Sequence, residues 1–432
     1  MADKLDSIYR QYYRVFEFIF CLCVVLFAGI ALIRDCESTF RLNIVLNPVV
    51  LNCIFILNCV VLPLLAVVTL IFDYKDDNRT RLCAVLIIIV ILFFQFNNDI
   101  KVYQSITEYL RVFFVPNSFE RALWIYNIGS IYRPGIVFLA VSAKGKSFRK
   151  AAWAFVITQS VLMVIITALS LGGIIPDLVF AEIGRPERHS LGLHYPLNYA
   201  AHWFSISLVY CFIKNGILKI WDYSGLVLLL LVSIFVNKAQ TSSILFTVLI
   251  LVTLVRQFMI VHFKNSRLKR PDYINRVRSM ALFCFKYSFV FFAAFMIVVS
   301  LMFTPAIRSF FDSVPVLNTF VSRFAFNRVG LLNYFPSILG VDYPISTWTG
   351  TVANEDYFFI DCSYVYELLH TGVIVFPIMM AVLWYIPHRL YKLKKGYALF
   401  ILSLFACICT MEYHLADFSF NPFWLMAVAV LV

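Results

Sequence analysis

The chain has 432 residues, and its 36 Lys and Arg outweigh 24 Asp and Glu to give a formal net charge of +12. Hydrophobic residues make up 62% and charged residues only 14%, well below the roughly 25% of a soluble domain. These values exclude a water-soluble globular protein. They also exclude a nucleic-acid binder, because the basic residues lie between apolar runs rather than on one face.

A membrane-spanning helix needs about 20 apolar residues, and runs of that kind recur along the whole chain. They fall near residues 15–33, 49–72, 82–98, 120–141, 152–175 and 197–213, then near 221–237, 242–262, 281–303, 364–386, 397–413 and 416–432. The expected fold is all-α, one polytopic transmembrane domain over 1–432 with about ten to twelve transmembrane helices. The first run exceeds the apolar core of a cleavable signal and lacks a small-x-small exit, so it reads as an anchor. The stretch 99–115 fits an interfacial helix. Most of the 11 cysteines fall inside apolar runs, where a thiol behaves as a small hydrophobe. Without a CxxC pair, neither a disulfide framework nor a zinc site is indicated.

Short loops rich in Lys and Arg stay cytoplasmic. Such loops carry Lys75, Arg79 and Arg81, then Lys144, Lys146, Arg149 and Lys150, then Lys214 and Lys219, then Lys264 to Arg278, and finally Arg389 to Lys395. They alternate with acidic or neutral loops, which places both termini inside. Two substantial loops are then external, 176–196 and the large loop 304–363. Loops longer than about 12–15 residues are more often functional than filler.

External arginines oppose the bias that orients the chain. The first external loop reads GRPERHSLGLHYPLN, with Arg185, Arg188, His189 and His194, and the second carries Arg308, Arg323 and Arg328. A guanidinium fork holds phosphate oxygens through two parallel bonds. Taken singly, each arginine is equally accounted for by pairing with Glu182, Glu187 or Asp312, or with lipid headgroups. Two groups in the two large external loops favour a shared phosphate or pyrophosphate ligand. Lys238, in the turn NKAQTSS, reads either as part of that set or as a snorkelling interface lysine. Arg133 falls inside the fourth run, where a buried arginine costs several kcal/mol by order of magnitude unless paired or hydrated, so either it faces a wet cavity or ligand or the run is not a span. His194 is placed to act as acid or base, or as a hydrogen-bonded interface group. Among the carboxylates Glu355, Asp356 and Asp361, the last lies at the membrane edge next to Ser363 and Tyr364.

Three stretches, RHSLGLHYPLNYAAH (188–202), SRFAFNRVGLLNYFPSILGVDY (322–343) and DCSYVYELLHTGVIVF (361–376), make the chain resemble the Wzy-type polymerases of bacterial O-antigen and capsular polysaccharide and the broader O-antigen ligase family. The chain departs from the family pattern in four ways. His194 comes one residue early, Leu197 separates Pro196 from Asn198, Cys362 follows Asp361 in place of Asn, and Lys238 stands where relatives often have Arg. The resemblance implies a membrane-embedded glycosyltransferase of the GT-C type in the bacterial cytoplasmic membrane, with its active site facing outside. It would move a growing glycan from undecaprenyl diphosphate to a sugar hydroxyl of a new lipid-linked repeat unit. Arg185, Arg188, Arg323 and Arg328, with Arg133 and Lys238, would then hold the diphosphate, and His194 or Asp361 would take the acceptor proton. No metal or cofactor is called for. The implied partners are the lipid-linked oligosaccharide, the bilayer, a flippase and a chain-length regulator. A ligase-like transferase and a lipid-linked oligosaccharide flippase or other transporter are the alternative readings.

Overall fold

The computed structural model describes residues 2–36, 47–72, 129–181, 187–266, 272–313, 315–338, 340–341 and 358–431. The run expected at 82–98, the first part of 120–141, the stretch 99–115, and Glu182, Arg185, Glu355 and Asp356 lie outside the described residues. The described chain is helical apart from one two-stranded ribbon. It divides into two compact units, one formed by 1–176 with 421–432 and the other by 177–420.

The first unit begins with α1 (Ala2–Arg34). Phe20, Val24, Phe27, Ala28 and Ala31 are buried, a spacing of three and four that turns one face of α1 to the core. That face meets α5 (Phe148–Leu171), where Gln159 donates to the Ala28 carbonyl at 2.9 Å. Between them lie α2 (Pro48–Ile56) and α3 (Leu62–Phe72). Asn47 caps α2, its Oδ1 accepting from the Val49 amide at 3.0 Å. A wide π turn at Leu57–Val61 joins the two helices. Pro63 supplies no amide to the preceding turn, and the wide turn absorbs that loss. The helix before α5, α4 (Gly129–Ser142), crosses closely at Gly135, where a Cβ would collide with Asn58 and Phe27.

The run 416–432 was expected to span, and it does not form an α-helix. Asp417 turns the chain locally, its Oδ1 accepting from Ser419 N at 2.9 Å and Ser419 Oγ at 2.7 Å. Pro422 then opens a short 3₁₀ helix, Pro422–Ala427, and Val430 bridges to Ser147. Local side-chain bonds and proline compete with helix here, and burial of Phe423, Leu425 and Met426 supplies the apolar signal that the sequence shows.

In the second unit, β1 (Val179–Phe180) and β2 (Arg188–His189) pair antiparallel. They precede α6 (Pro196–Ile213), which is buried on every side. An exposed hairpin follows, α7 (Ile220–Phe235) and α8 (Gln240–Ser266). Next, α9 (Asp272–Lys286) and α10 (Ser288–Met302) form one bent pair, with 62° between their arms. The large loop expected at 304–363 contains two helices, α11 (Pro305–Ser313) and α12 (Pro315–Asn333), each opened by a proline at its first position. The unit closes with α13 (Ser363–Lys392) and α14 (Gly396–Ile408).

Among the described residues, four helices are long and apolar enough to cross a membrane, within α1, α5, α8 and α13, and the bent pair α9–α10 makes a fifth. The outer faces agree with that reading. Leu228, Phe235, Leu251, Phe258 and Phe291 are exposed, an apolar perimeter larger than soluble proteins tolerate, whereas the central α6 buries Asn198, His202, Ser205 and Ser207.

α13 is not continuous. Gly372 has φ of 78° and breaks it, and residues 337–338 and 340–341, a short strap, dock into the break. Val341 N donates to Leu369 O at 2.7 Å and Val373 N to Ser337 O at 3.0 Å.

Candidate functional site

Helix direction brings the candidate residues of the second unit to one end. Gly216, just past α6, lies against Tyr397 at the start of α14, so the opposite ends of α6 and α14 also share an end. There the ribbon packs on the turn between α7 and α8, with His189 N donating to Val236 O at 3.2 Å and Asn237 Nδ2 to His189 O at 2.8 Å. Ser363 N donates to Cys409 O at 3.0 Å, which joins the start of α13 to the end of α14. This end therefore holds Arg188, His189, His194, Lys238, Arg323, Arg328 and Asp361. Arg133 lies on α4 in the first unit, and Arg185 lies outside the described residues.

The residues fall into two clusters. In the first, Arg188 on β2 is buried, with its guanidinium 5.9 Å from the centre of the Tyr195 ring. Phe180 meets the same ring edge-on at 4.9 Å. The next residue points the other way, as strand geometry requires, and His189 Nδ1 lies 2.6 Å from Asp177 Oδ2. Asp177 in turn accepts the Leu191 amide at 2.8 Å. His194 is half-buried just before α6, and Lys238 is half-buried in the α7–α8 turn with φ of 51°.

The second cluster is built from three elements. Arg323 of α12 donates from Nε to the Met411 carbonyl at 3.2 Å and lies 3.8 Å from Asp361 Oδ2. Ser363 Oγ donates to the Glu412 carbonyl and accepts from Leu415 N at 3.1 Å, which fixes the chain after α14. His414 Nε2 is 4.0 Å from Glu412 Oε2. Side-chain exposure falls from 31% at Asp361 through 14% at Arg323 and 5% at Glu412 to 1% at His414. Burial pushes the carboxyl groups of Asp361 and Glu412 up from their ordinary range, with Arg323 opposing in both and the Asp361 charge adding at Glu412. Burial likewise pushes the Cys362 thiol up to about 12, so it is a neutral packing group.

Arg328 is five positions past Arg323 and serves another partner, the Phe303 carbonyl at the end of α10. Cations at a helix C-terminus complement its exposed carbonyls. A stack of rings runs from the second cluster to α6. His414 lies on Phe420 with ring centres 3.5 Å apart, and Phe420 lies on His202 of α6 at 3.9 Å.

Glu412, His414 and His202 escape a reading by loops, because 397–413 is apolar enough to pass for a span. The available signal was the presence of ionisable residues at the edge of an apolar run, which in membrane proteins marks function more often than packing. Asn327, one turn past Arg323 on the same face of α12, is also fully buried, and among the described residues neither polar atom of its side chain has a hydrogen-bond partner. Among the described residues, no group of three or more His, Cys, Asp and Glu side chains is arranged to hold a metal ion.

Fold and site together define a helical protein with several helices able to cross a membrane and with ionisable groups gathered at one end of its second unit. No known protein family, curated protein or solved structure matches the chain.

Proposed function

We propose that the chain is a polysaccharide polymerase of the cytoplasmic membrane, a metal-independent glycosyltransferase of GT-C type with about ten or eleven spans and a cytoplasmic N-terminus. It transfers a growing glycan from undecaprenyl diphosphate to a hydroxyl of the next lipid-linked unit on the outer face. The observation that carries this reading is the burial of Arg188 and the partial burial of Arg323 at one end of the second unit, one from each connection that the charge pattern makes external. A guanidinium at a membrane edge, shielded from bulk water, suits a lipid diphosphate, and it stabilises charge on the leaving group where water would screen it least. Asp361, partly open beside Arg323, or His194, before α6, receives the acceptor proton. The lipid-linked unit would reach the site from a flippase, and a chain-length regulator would act on the product.

The decisive experiment incubates purified protein with undecaprenyl-diphosphate-linked repeat units. A ladder of product lengths is expected, and absence of any product longer than one unit rejects the reading. A single transfer onto an unrelated acceptor would indicate the ligase-like alternative. Impermeant labels should reach residues 304–313 from outside intact cells and should not reach 272–278.

One observation favours a transporter instead, namely the interruption of α13 at Gly372, since broken helices line many transport sites. The two readings separate by leaflet. Loss of Arg323 in a polymerase leaves single lipid-linked units on the outer leaflet, whereas loss of a flippase leaves them on the inner one.

A further inference from the structure

The ionisable groups around Arg323 form a graded series running from open to sealed. Asp361 is the accessible member, Arg323 lies behind it, and Glu412 and His414 are closed off by the chain after α14. Three elements hold them. α12 brings Arg323, the lead-in to α13 brings Asp361, and the turn after α14 brings Glu412 and His414, with Ser363 tying the last two elements together. Nothing in the polymerase reading uses Glu412 or His414, yet a sealed carboxyl costs far more as an ion than as a neutral acid.

We infer that Asp361, Arg323, Glu412 and His414 act as one acid–base unit, in which Asp361 is the catalytic base and Glu412 is a positioning residue that holds a proton so that Asp361 alone carries negative charge. This rests on the polymerase reading. The assignment follows from solvation. The charged carboxyl is the one that keeps contact with water and faces the guanidinium, and the neutral carboxyl is the one sealed beside His414. The unit then has one positive and one negative charge, a balanced state for a buried site. With both carboxyls ionised it has a net negative charge, which would repel an incoming diphosphate and leave an uncompensated ion inside.

The transfer step balances on these groups. The acceptor hydroxyl gives its proton to Asp361 as its oxygen bonds to the donor's anomeric carbon. The bond from that carbon to the diphosphate oxygen breaks, and the electron pair leaves with the lipid diphosphate. Asp361 then returns the proton to water on its open side. The other ionisable groups on these elements are the buried Asp417 on the connection after α14 and Glu367 along α13, and His202 of α6 lies behind Phe420. Of the carboxyls named here, Asp361 is the accessible one.

Two measurements test this on the full-length protein in detergent, with undecaprenyl-diphosphate-linked repeat units as substrate. Asp361→Asn should lower turnover at least about a hundredfold at every pH, the lower end of what a positioned base contributes. Wild-type turnover should fall as the second carboxyl ionises, at least about tenfold between about pH 6 and about pH 9, and Glu412→Gln should flatten that decline to less than about threefold. Infrared difference spectra of the protein without substrate should show a protonated carboxyl band near neutral pH that disappears in Glu412→Gln. An unchanged alkaline decline in Glu412→Gln, or persistence of the band, overturns the inference. If wild-type protein makes no polymer, the polymerase reading fails by itself. The infrared band, which needs no turnover, then decides whether Glu412 holds the proton.

Discussion

The two ends of the second unit hold positive charge differently. At the end carrying Lys214, Arg256, Lys286 and Arg389, the cations are partly exposed and lie over aromatic rings. Arg256 is 4.6 Å from the Tyr397 ring centre, Lys286 is 4.7 Å from Tyr287, and Arg389 is 5.9 Å from Tyr385. At the other end Arg188, also beside a ring, is buried, and the partly buried Arg323 meets a carboxylate and a backbone carbonyl. The first end has more cations, and among the described residues of this unit Arg188 is the buried one. The count of cations follows orientation across a membrane, whereas their burial, which must be compensated group by group, follows chemistry. Mutations at the two ends should therefore fail differently, through stability at the first and through turnover at the second.

The largest effects belong to Arg188 and Arg323. Arg323→Lys and Arg188→Lys each keep the charge and lose the fork, and should reduce polymer formation at least about tenfold at unchanged protein level, since a lost donor to developing charge costs on the order of a hundred- to thousandfold. Near-normal turnover in both would remove these arginines from the diphosphate site. Arg323→Ala leaves Asp361 and Glu412 without their cation and should also lower thermal stability, by about 3 kcal/mol.

At the opposite end, Arg256→Gln should cost about 0.5–2 kcal/mol in stability through the lost contact with Tyr397 and change turnover less than about twofold. A turnover defect without a stability defect there would erase the contrast between the ends.

Proton linkage gives a smaller signature. The Glu412 carboxyl is raised above its ordinary value of 4.5 by burial and by Asp361. Its contribution to stability is therefore fully present below about pH 4.5 and is lost as pH rises through the raised value. Glu412→Gln should flatten the fall in melting temperature on the alkaline side. A fall of equal steepness in the variant would assign the pH dependence to other groups.

The smallest effect is expected at Arg308, which is exposed and pairs with Asp312 at 3.6 Å one helical turn away. Arg308→Lys should change stability by less than about 0.5 kcal/mol and leave polymer formation unaltered, as checked on the same gels. A loss comparable to that at Arg323 would show that exposed and buried arginines of this end work together.

Much of this arrangement is legible in the sequence. Long apolar runs announce α1, α5, α8 and α13 at 15–33, 152–175, 242–262 and 364–386, because their length fits a bilayer, although Gly372 breaks the last of them. The reading fails where an apolar run is buried by neighbours instead of by lipid. The segment 416–432 has the hydropathy of a span, yet Asp417, Ser419 and Pro422 turn it into a short irregular stretch. The bend at Tyr287 is equally invisible to hydropathy, since both arms are apolar enough to pass as one run. At the site, the external arginines and Asp361 stand out because they oppose the charge bias of the chain. Glu412 does not, because its role depends on Arg323, which is 89 positions earlier in the sequence.

The break in α13 has a mechanical consequence. At Gly372 a side chain would run into the backbone of Ser337, Ile338 and Gly340, and at Gly340 it would run into that of His370. Two amide–carbonyl bonds, one on each side of the break, fasten the strap to both halves of the helix. The strap continues from α12, the helix that carries Arg323. The break is thereby splinted, and tilting either half of α13 about Gly372 would have to give up one of these bonds. The position of α12, and with it that of Arg323, is in this way tied to the set of the two halves of α13.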